Sequence, residues 1–216
     1  VYIWEDNTKS DVFGIVAVRA GSINEPEEYT GLAHYLEHVM FKGTDQIGAL
    51  DWAKEKPIYD QIIAKYDEMA ATDDPAQKAT IGKEINDLTV EAGKLSVSNE
   101  FSDLMESIGG KGLNAGTSYD LTYYHNSFPA YQINKWLEIS SQRFIHPVFR
   151  TFQSELENVY EEYNMYQDNP GSQQSNFLRS KAFEGHPYAR DIIGLPEHLK
   201  NPHLSKLIDF YNEWYV

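Results

Sequence analysis

The sequence predicts an α+β domain in which helices pack on a mixed, mostly antiparallel sheet. Short β-branched and apolar segments stand near the start and again around 111–128, long stretches between and after them repeat at helical spacing, and no regular strand–helix alternation links them. A chain of 216 residues has ample length for one large domain with its own core. No internal repeat or low-complexity tract divides it.

Tyr2–Trp4 and Val12–Arg19 read as two strands turning at Asp6-Asn7, and the second, apolar on both parities, is expected to be buried on both faces. Thr30 is placed to cap a helix over 31–41, ended by Lys42-Gly43. Across 51–95, Trp52, Ile58, Ile62, Ile63, Tyr66 and Met69 keep helical spacing, Thr72-Asp73-Asp74-Pro75 breaks it, and Ile81, Ile85 and Leu88 resume it. That pattern is a helical hairpin with a charged outer face. A short helix over 101–108 ends at Gly109-Gly110, and the Thr- and aromatic-rich 111–128 reads as strands bent near Gly116. Helices follow over 129–145, 148–167, 172–184 and 203–214, with Asp168-Asn169-Pro170-Gly171 as the break between the second and third.

The charge balance, 18 basic against 33 acidic residues, leaves a net −15 that repels phosphate backbones and argues against nucleic acid as a partner. No apolar run approaches the roughly 20 residues of a membrane span. With no cysteine, disulfides, thiolate zinc sites and thiol nucleophiles are excluded. The first residues carry no initiator Met and no signal-peptide pattern, which reads as a trimmed fragment.

His34-Tyr35-Leu36-Glu37-His38 is an H-x-x-E-H string, the inverted zincin pattern. On a helix the two imidazoles stand one turn apart and Glu37 projects from the same side. Leu32, Ala33, Leu36, Val39, Met40 and Phe41 make this helix apolar nearly all round. Burying two imidazoles and a carboxylate on one arc is costly unless a charge pairs with them, and a divalent metal does so. Catalytic zinc usually has three protein ligands plus water, so one ligand must come from the five other histidines or from a carboxylate. Between 152 and 166, Phe152, Leu156, Val159, Tyr163 and Tyr166 form a buried stripe. Glu155 and Glu162 lie on its inward edge, while Glu157 and Glu161 point away.

Several blocks in order, AGSINEPEEYTGLAHYLEHVMFKGT, Gly109-Gly110, NAGTSYDLTYY, EEYNMYQDNP, GHPYARDIIGLPE and FYNEWYV, resemble the N-terminal, zinc-bearing domain of the pitrilysin/insulinase metallopeptidases, the processing-peptidase type included. The resemblance implies one bound zinc with His34, His38 and Glu162 as ligands, Glu37 as general base, Glu155 as an acidic support, and Asn114, Ala115, Gly116 and Thr117 as a substrate-binding edge strand. It implies a zinc-dependent endopeptidase for peptides or small unfolded polypeptides. The whole chain, 1–216, is then one N-terminal-type peptidase domain, truncated at both ends. Its partner is a homologous second half-domain, on the same or another chain, without which the fragment is expected to be inactive. From His38 to Glu162 the separation is 162 − 38 = 124 residues, longer than the family's usual spacing by roughly fifty. The surplus coincides with 46–100, which reads as a helical insertion.

Two rival readings remain. S-ribosylhomocysteine lyases resemble this fold and share the string, but use a cysteine that this chain lacks. A non-catalytic peptide-binding or supporting subunit would typically have lost the zinc residues, and here all four acids and imidazoles stand. His125 and His146 read as core or surface residues, His186 as part of a structural loop, and His198 and His203 as exposed. The absence of cysteine fits a bacterial periplasm or cell envelope.

Overall fold

A computed structural model of the chain describes residues 1–200 and 203–216. Its sheet has three strands, β1 (Asp11–Val18), β2 (Lys111–Thr117) and β3 (Thr122–Pro129), in the order β1-β3-β2 and antiparallel throughout. β2 and β3 form a hairpin closed by Ser118, whose N–H donates to Leu121 O at 2.8 Å. Ile15 and Asn114 both face His125 across the central strand, and β2 shifts register between Lys111 and Asn114.

Nine helices are described: α1 (Leu32–Val39), α2 (Trp52–Ala70), α3 (Pro75–Gly93), α4 (Glu100–Ser107), α5 (Ile133–Arg143), α6 (Phe152–Gln167), α7 (Pro170–Ala182), α8 (Pro196–Leu199) and α9 (Leu204–Trp214). The expected α+β class with its helical hairpin, α2 and α3, is therefore present. Asp74 and Pro75 do more than break the pattern: the Asp74 carboxylate caps α3 by accepting from Ala76 N–H at 2.9 Å. Asn169 caps α7 in the same way through Gly171 and Ser172, so the expected break is also a helix start.

Two strand expectations fail. Tyr2–Trp4 form no strand and lie exposed. β1 is not buried on both faces: Phe13 and Ile15 are 61% and 52% exposed. Its apolar content on both parities does not distinguish a central strand from an edge strand with one open face, and β1 is an edge. The covered face is tight. A Cβ at Gly14 would lie 2.5 Å from the Trp136 ring, which stacks on Phe128 at 4.9 Å.

The larger core joins α1 (Leu36, Val39), α6 (Phe152, Leu156, Val159), the hairpin (Ile62, Tyr66, Ile81, Ile85) and α9 (Leu204, Leu207, Phe210). A smaller one packs Phe101, Met105, Trp136 and Ile139 under β3. Removing such apolar surface from water stabilises by about 25 cal/mol per Å², and here that burial presses α1 and α6 together. Their rings and backbone interlock: Tyr35 packs tilted at 4.9 Å against Phe152 and its hydroxyl donates to Phe152 O. Among the described residues no helix is long and apolar enough to cross a membrane.

Candidate metal centre

The α1 start differs from its expectation. Gly31, at φ +88°, is the N-cap, and Thr30 does not cap the helix. Thr30 Oγ1 instead accepts from Leu195 N–H at 3.0 Å and pairs with His198 Nδ1 at 2.8 Å. The capping acceptor is Glu25: its two carboxylate oxygens take Gly31 N–H at 2.9 Å and Ala33 N–H at 2.8 Å. Left-handed backbone favours glycine, and a Cβ here would meet Ile193 O at 2.7 Å. Burial pushes the Glu25 carboxyl up to about 8, against the pull of those N–H groups and of Arg190.

With Ala33, Tyr35, Leu36 and Val39 buried, α1 presents His34, Glu37 and His38 on its remaining arc. From α6, Glu162 reaches them: its Oε2 lies 3.6 Å from His34 Nε2 and 3.5 Å from His38 Nε2. Among the described residues these three form the group able to hold a metal, with one ligand atom from each within 4.8 Å of the others. Glu155, also on α6, takes a different place. Its Oε2 is 3.6 Å from His38 Nδ1 and its Oε1 is 2.6 Å from Lys42 Nζ. The helical wheel put both carboxylates inward, and they are; the structure separates them by partner.

The electrostatics suit a cation. Burial, followed by the neighbouring His38, pushes His34 down to about 4, so its imidazole is neutral at pH 7 and one ring nitrogen carries a lone pair. For His38, burial pulls down, but Glu155, Glu37 and Glu162 together outweigh it and raise the ring's pKa. Burial raises the Glu37 carboxyl, partly offset by Thr117, whose hydroxyl donates to Glu37 Oε2 at 2.6 Å. Burial also acts to raise Glu155, but His38 and Lys42 win and hold it below the ordinary range. His34 Nδ1 is buried with no hydrogen-bond partner. Two imidazole nitrogens and one carboxylate oxygen, converging with no basic side chain among them, fit a divalent ion such as zinc with a coordination position left open.

All nine residues singled out from the sequence line one cleft of about 800 Å³. His34, Glu37, His38, Glu155 and Glu162 form its floor, Asn114, Ala115, Gly116 and Thr117 one wall, and α7 with 191–193 the other. Among the described residues no strand pairs with the outer edge of β2. Sequence reasoning missed Lys42, although it stands four residues after His38 and so on the same side. It also missed Tyr166 as a cleft residue, and Asp191, whose carboxylate accepts from Asn176 at the far wall. Nothing local marks those two.

The histidines set aside stay outside the metal group. His125 stacks on Tyr123 at 5.8 Å, while His146 and His186 are exposed. His198 and His203 differ from expectation in being half-buried, His198 against Thr30 and His203 edge-on to Tyr29 at 4.8 Å.

Comparison with known proteins places this geometry. A family model described as Insulinase (Peptidase family M16) matches residues 1–55 and 88–195, leaving 56–87 within the hairpin unmatched. The uncharacterized zinc protease YmxG of Bacillus subtilis is 23% identical over 203 residues, which are 93% of this chain and 37% of that protein. An insulin-degrading enzyme homolog of Dictyostelium discoideum is 24% identical over 223 residues, covering 100% of this chain and 18% of that protein. A protease from Helicobacter pylori shares the fold at a TM-score of 0.68 and 21% identity, over 96% of this chain and 38% of that one. The first half of the periplasmic protease PqqL from Escherichia coli does so at 0.66 and 22%, over 96% and 36%. The chain thus spans well under half the length of each of these relatives.

Proposed function

The chain belongs to the insulinase family of peptidases, and from that premise we propose that it is a zinc-dependent endopeptidase domain acting on peptides or small unfolded polypeptides. One observation carries the reading: His34, His38 and Glu162 converge within 4.8 Å of one another, beside Glu37, on the floor of an open cleft. His34 and His38 through Nε2, and Glu162 through a carboxylate oxygen, would hold the ion. Glu155 orients the His38 ring from its other nitrogen, a placement that commonly raises a ligand's basicity. When bound, the zinc polarises a water molecule and the scissile carbonyl. Glu37 takes the proton from the attacking water and hands it to the leaving amine. Burial moves its carboxyl toward the range of an effective base, while Thr117 fixes one oxygen and leaves the other for the proton.

An extended peptide adds to the free edge of β2 at Asn114–Thr117, main chain to main chain. That edge and the metal cluster line the same cleft, so a peptide on the strand would run beside the residues that would hold the ion. The names of the relatives, a zinc protease and an insulin-degrading enzyme homolog, support the substrate class. The likeness to one half of a larger protease supports a homologous second half-domain as working partner, on the same or another polypeptide. It equally favours the bacterial periplasm or envelope, because that relative is periplasmic. We take 1–216 as one peptidase domain and the hairpin as an insertion into it, in keeping with the interrupted family match.

Elemental analysis of the purified protein tests the centre. One zinc per chain is expected, lost or sharply weakened by Glu162→Ala. Absence of zinc after reconstitution favours a non-catalytic, peptide-binding or supporting subunit, and zinc unaffected by Glu162→Ala excludes Glu162 as the third ligand.

A further inference from the structure

The helical hairpin touches the metal centre through one buried polar chain. Glu55, an acidic residue on the first turn of α2, is only 1% exposed. It meets Arg150 in a two-pronged pair, Nε to Oε1 at 2.5 Å and Nη2 to Oε2 at 2.8 Å. The remaining nitrogen, Nη1, donates to Thr44 O at 2.9 Å and approaches Lys42 O and Ile47 O at 3.5 Å. One guanidinium thereby gathers the carbonyls of the loop that follows α1. That loop carries Lys42, which holds Glu155 at 2.6 Å, and Glu155 faces His38 Nδ1 at 3.6 Å.

Resting on the zinc reading above, we propose that Glu55 is a positioning residue for the metal centre. Through Arg150 and the 42–47 loop it fixes Lys42, and through Lys42 it fixes the Glu155–His38 contact. The argument is geometric and energetic together. A planar guanidinium can satisfy a carboxylate fork and a carbonyl at once, which an ammonium cannot. A buried arginine without its carboxylate is costly and turns toward other acceptors or water. Remove Glu55, and Arg150 has reason to leave the loop carbonyls, freeing Lys42 to move. The hairpin's other ion pairs lie on its exposed face and reach nothing in the cleft. In this view the segment that the family model skips in part is coupled to the site by its N-terminal turn.

The test is zinc and cobalt titration of the intact polypeptide carrying Glu55→Gln, with the double variant Glu55→Gln/Arg150→Gln as a neutral, hydrogen-bonding replacement should the single variant fail to fold. Direct partners of metal ligands change affinity by roughly 10- to 100-fold; one step further out, a loss of roughly three- to tenfold is expected in either variant, with a changed visible spectrum of the cobalt form. Ile85→Ala, which loosens the hairpin core without touching the chain of contacts, should lower Tm and leave zinc affinity within about twofold. Unchanged affinity and spectrum in both Glu55 variants, or an equal loss in Ile85→Ala, overturns the proposal while leaving the metal centre intact. A wild-type protein that binds no zinc instead removes the reading beneath it.

Discussion

On the hairpin, Lys56 and Asp60 pair at 2.7 Å one turn apart, each 55% exposed, and Lys65 bridges Glu68 and Glu84 from a similar surface position. In the cleft, Lys42 and Glu155 pair at 2.6 Å from different elements, 24% and 11% exposed, and Glu162 reaches two imidazoles across the gap between α6 and α1. The side-chain types are the same. The surface pairs are screened and contribute little: Lys56–Asp60 and Lys65–Glu68 are local and readable from i,i+4 and i,i+3 spacing, and Lys65–Glu84 joins the two limbs of the hairpin. The cleft groups are half-buried, and their cost is met only when the fold brings distant segments together. Charge in the first region keeps a helix soluble. In the second it has to be justified by chemistry.

The sharpest way to break that contrast is Glu37→Gln. It preserves shape and the cleft, so zinc content should remain at the wild-type level while turnover falls by roughly 10²- to 10⁴-fold, the usual contribution of a general base. Peptide-hydrolysis assays with the proposed second half-domain present would measure this; wild-type turnover would remove Glu37 from the mechanism. Next in size is the packing that holds the two regions to each other. Phe152 packs tilted against Tyr35 of α1 at 4.9 Å and edge-on against Tyr66 of the hairpin at 4.7 Å. Phe152→Ala should cost about 3–5 kcal/mol in chemical denaturation and weaken zinc binding with it. A loss of stability with zinc affinity intact would show that the α1–α6 register does not depend on this ring.

Much of this was legible in advance, and the exceptions share a cause. The H-x-x-E-H arc, the inward pair Glu155 and Glu162, and the two limbs of the hairpin follow from periodicity, because each is a property of one helix read alone. Thr30 misled because Ser and Thr before a helix usually cap it, whereas here its hydroxyl is taken by Leu195 and His198 and the cap comes from Glu25. Such substitutions depend on contacts far along the chain. β1 misled for a related reason: strand order decides whether an apolar face is covered, and no single strand encodes its place in the sheet. Asp191 and Arg150 enter the picture only once the loops are folded.

Glu25 gives a pH test of intermediate size. Its carboxyl rises to about 8 in the folded protein from an ordinary value of 4.5. Between those values the folded state binds the extra proton, so stability is greatest at the acid end of the window and declines as pH rises toward 8. The decline should amount to a few kcal/mol in denaturant titrations across the window, and Glu25→Gln should flatten it. A slope unchanged by the substitution would mean that the two N–H donors and Arg190 keep Glu25 ionised and that another group sets the dependence.

The smallest effects sharpen the comparison most directly, because Lys42→Met and Lys56→Met remove the same charge from the two regions. Lys56 leaves an exposed Asp60 that water can serve, and the expected cost is below about 0.5 kcal/mol. Lys42 leaves Glu155 buried against His38, where an unpaired carboxylate should cost roughly 1–2 kcal/mol. Glu155 would also lose a charge that holds its pKa below the ordinary range, so the Lys42 variant should shed zinc at a higher pH on acidification than wild type, and the Lys56 variant should not. Equal costs and identical zinc-release profiles for the two variants would mean that the cleft charges are as solvated as those of the hairpin. The burial argument for the metal centre would then fail at its first step.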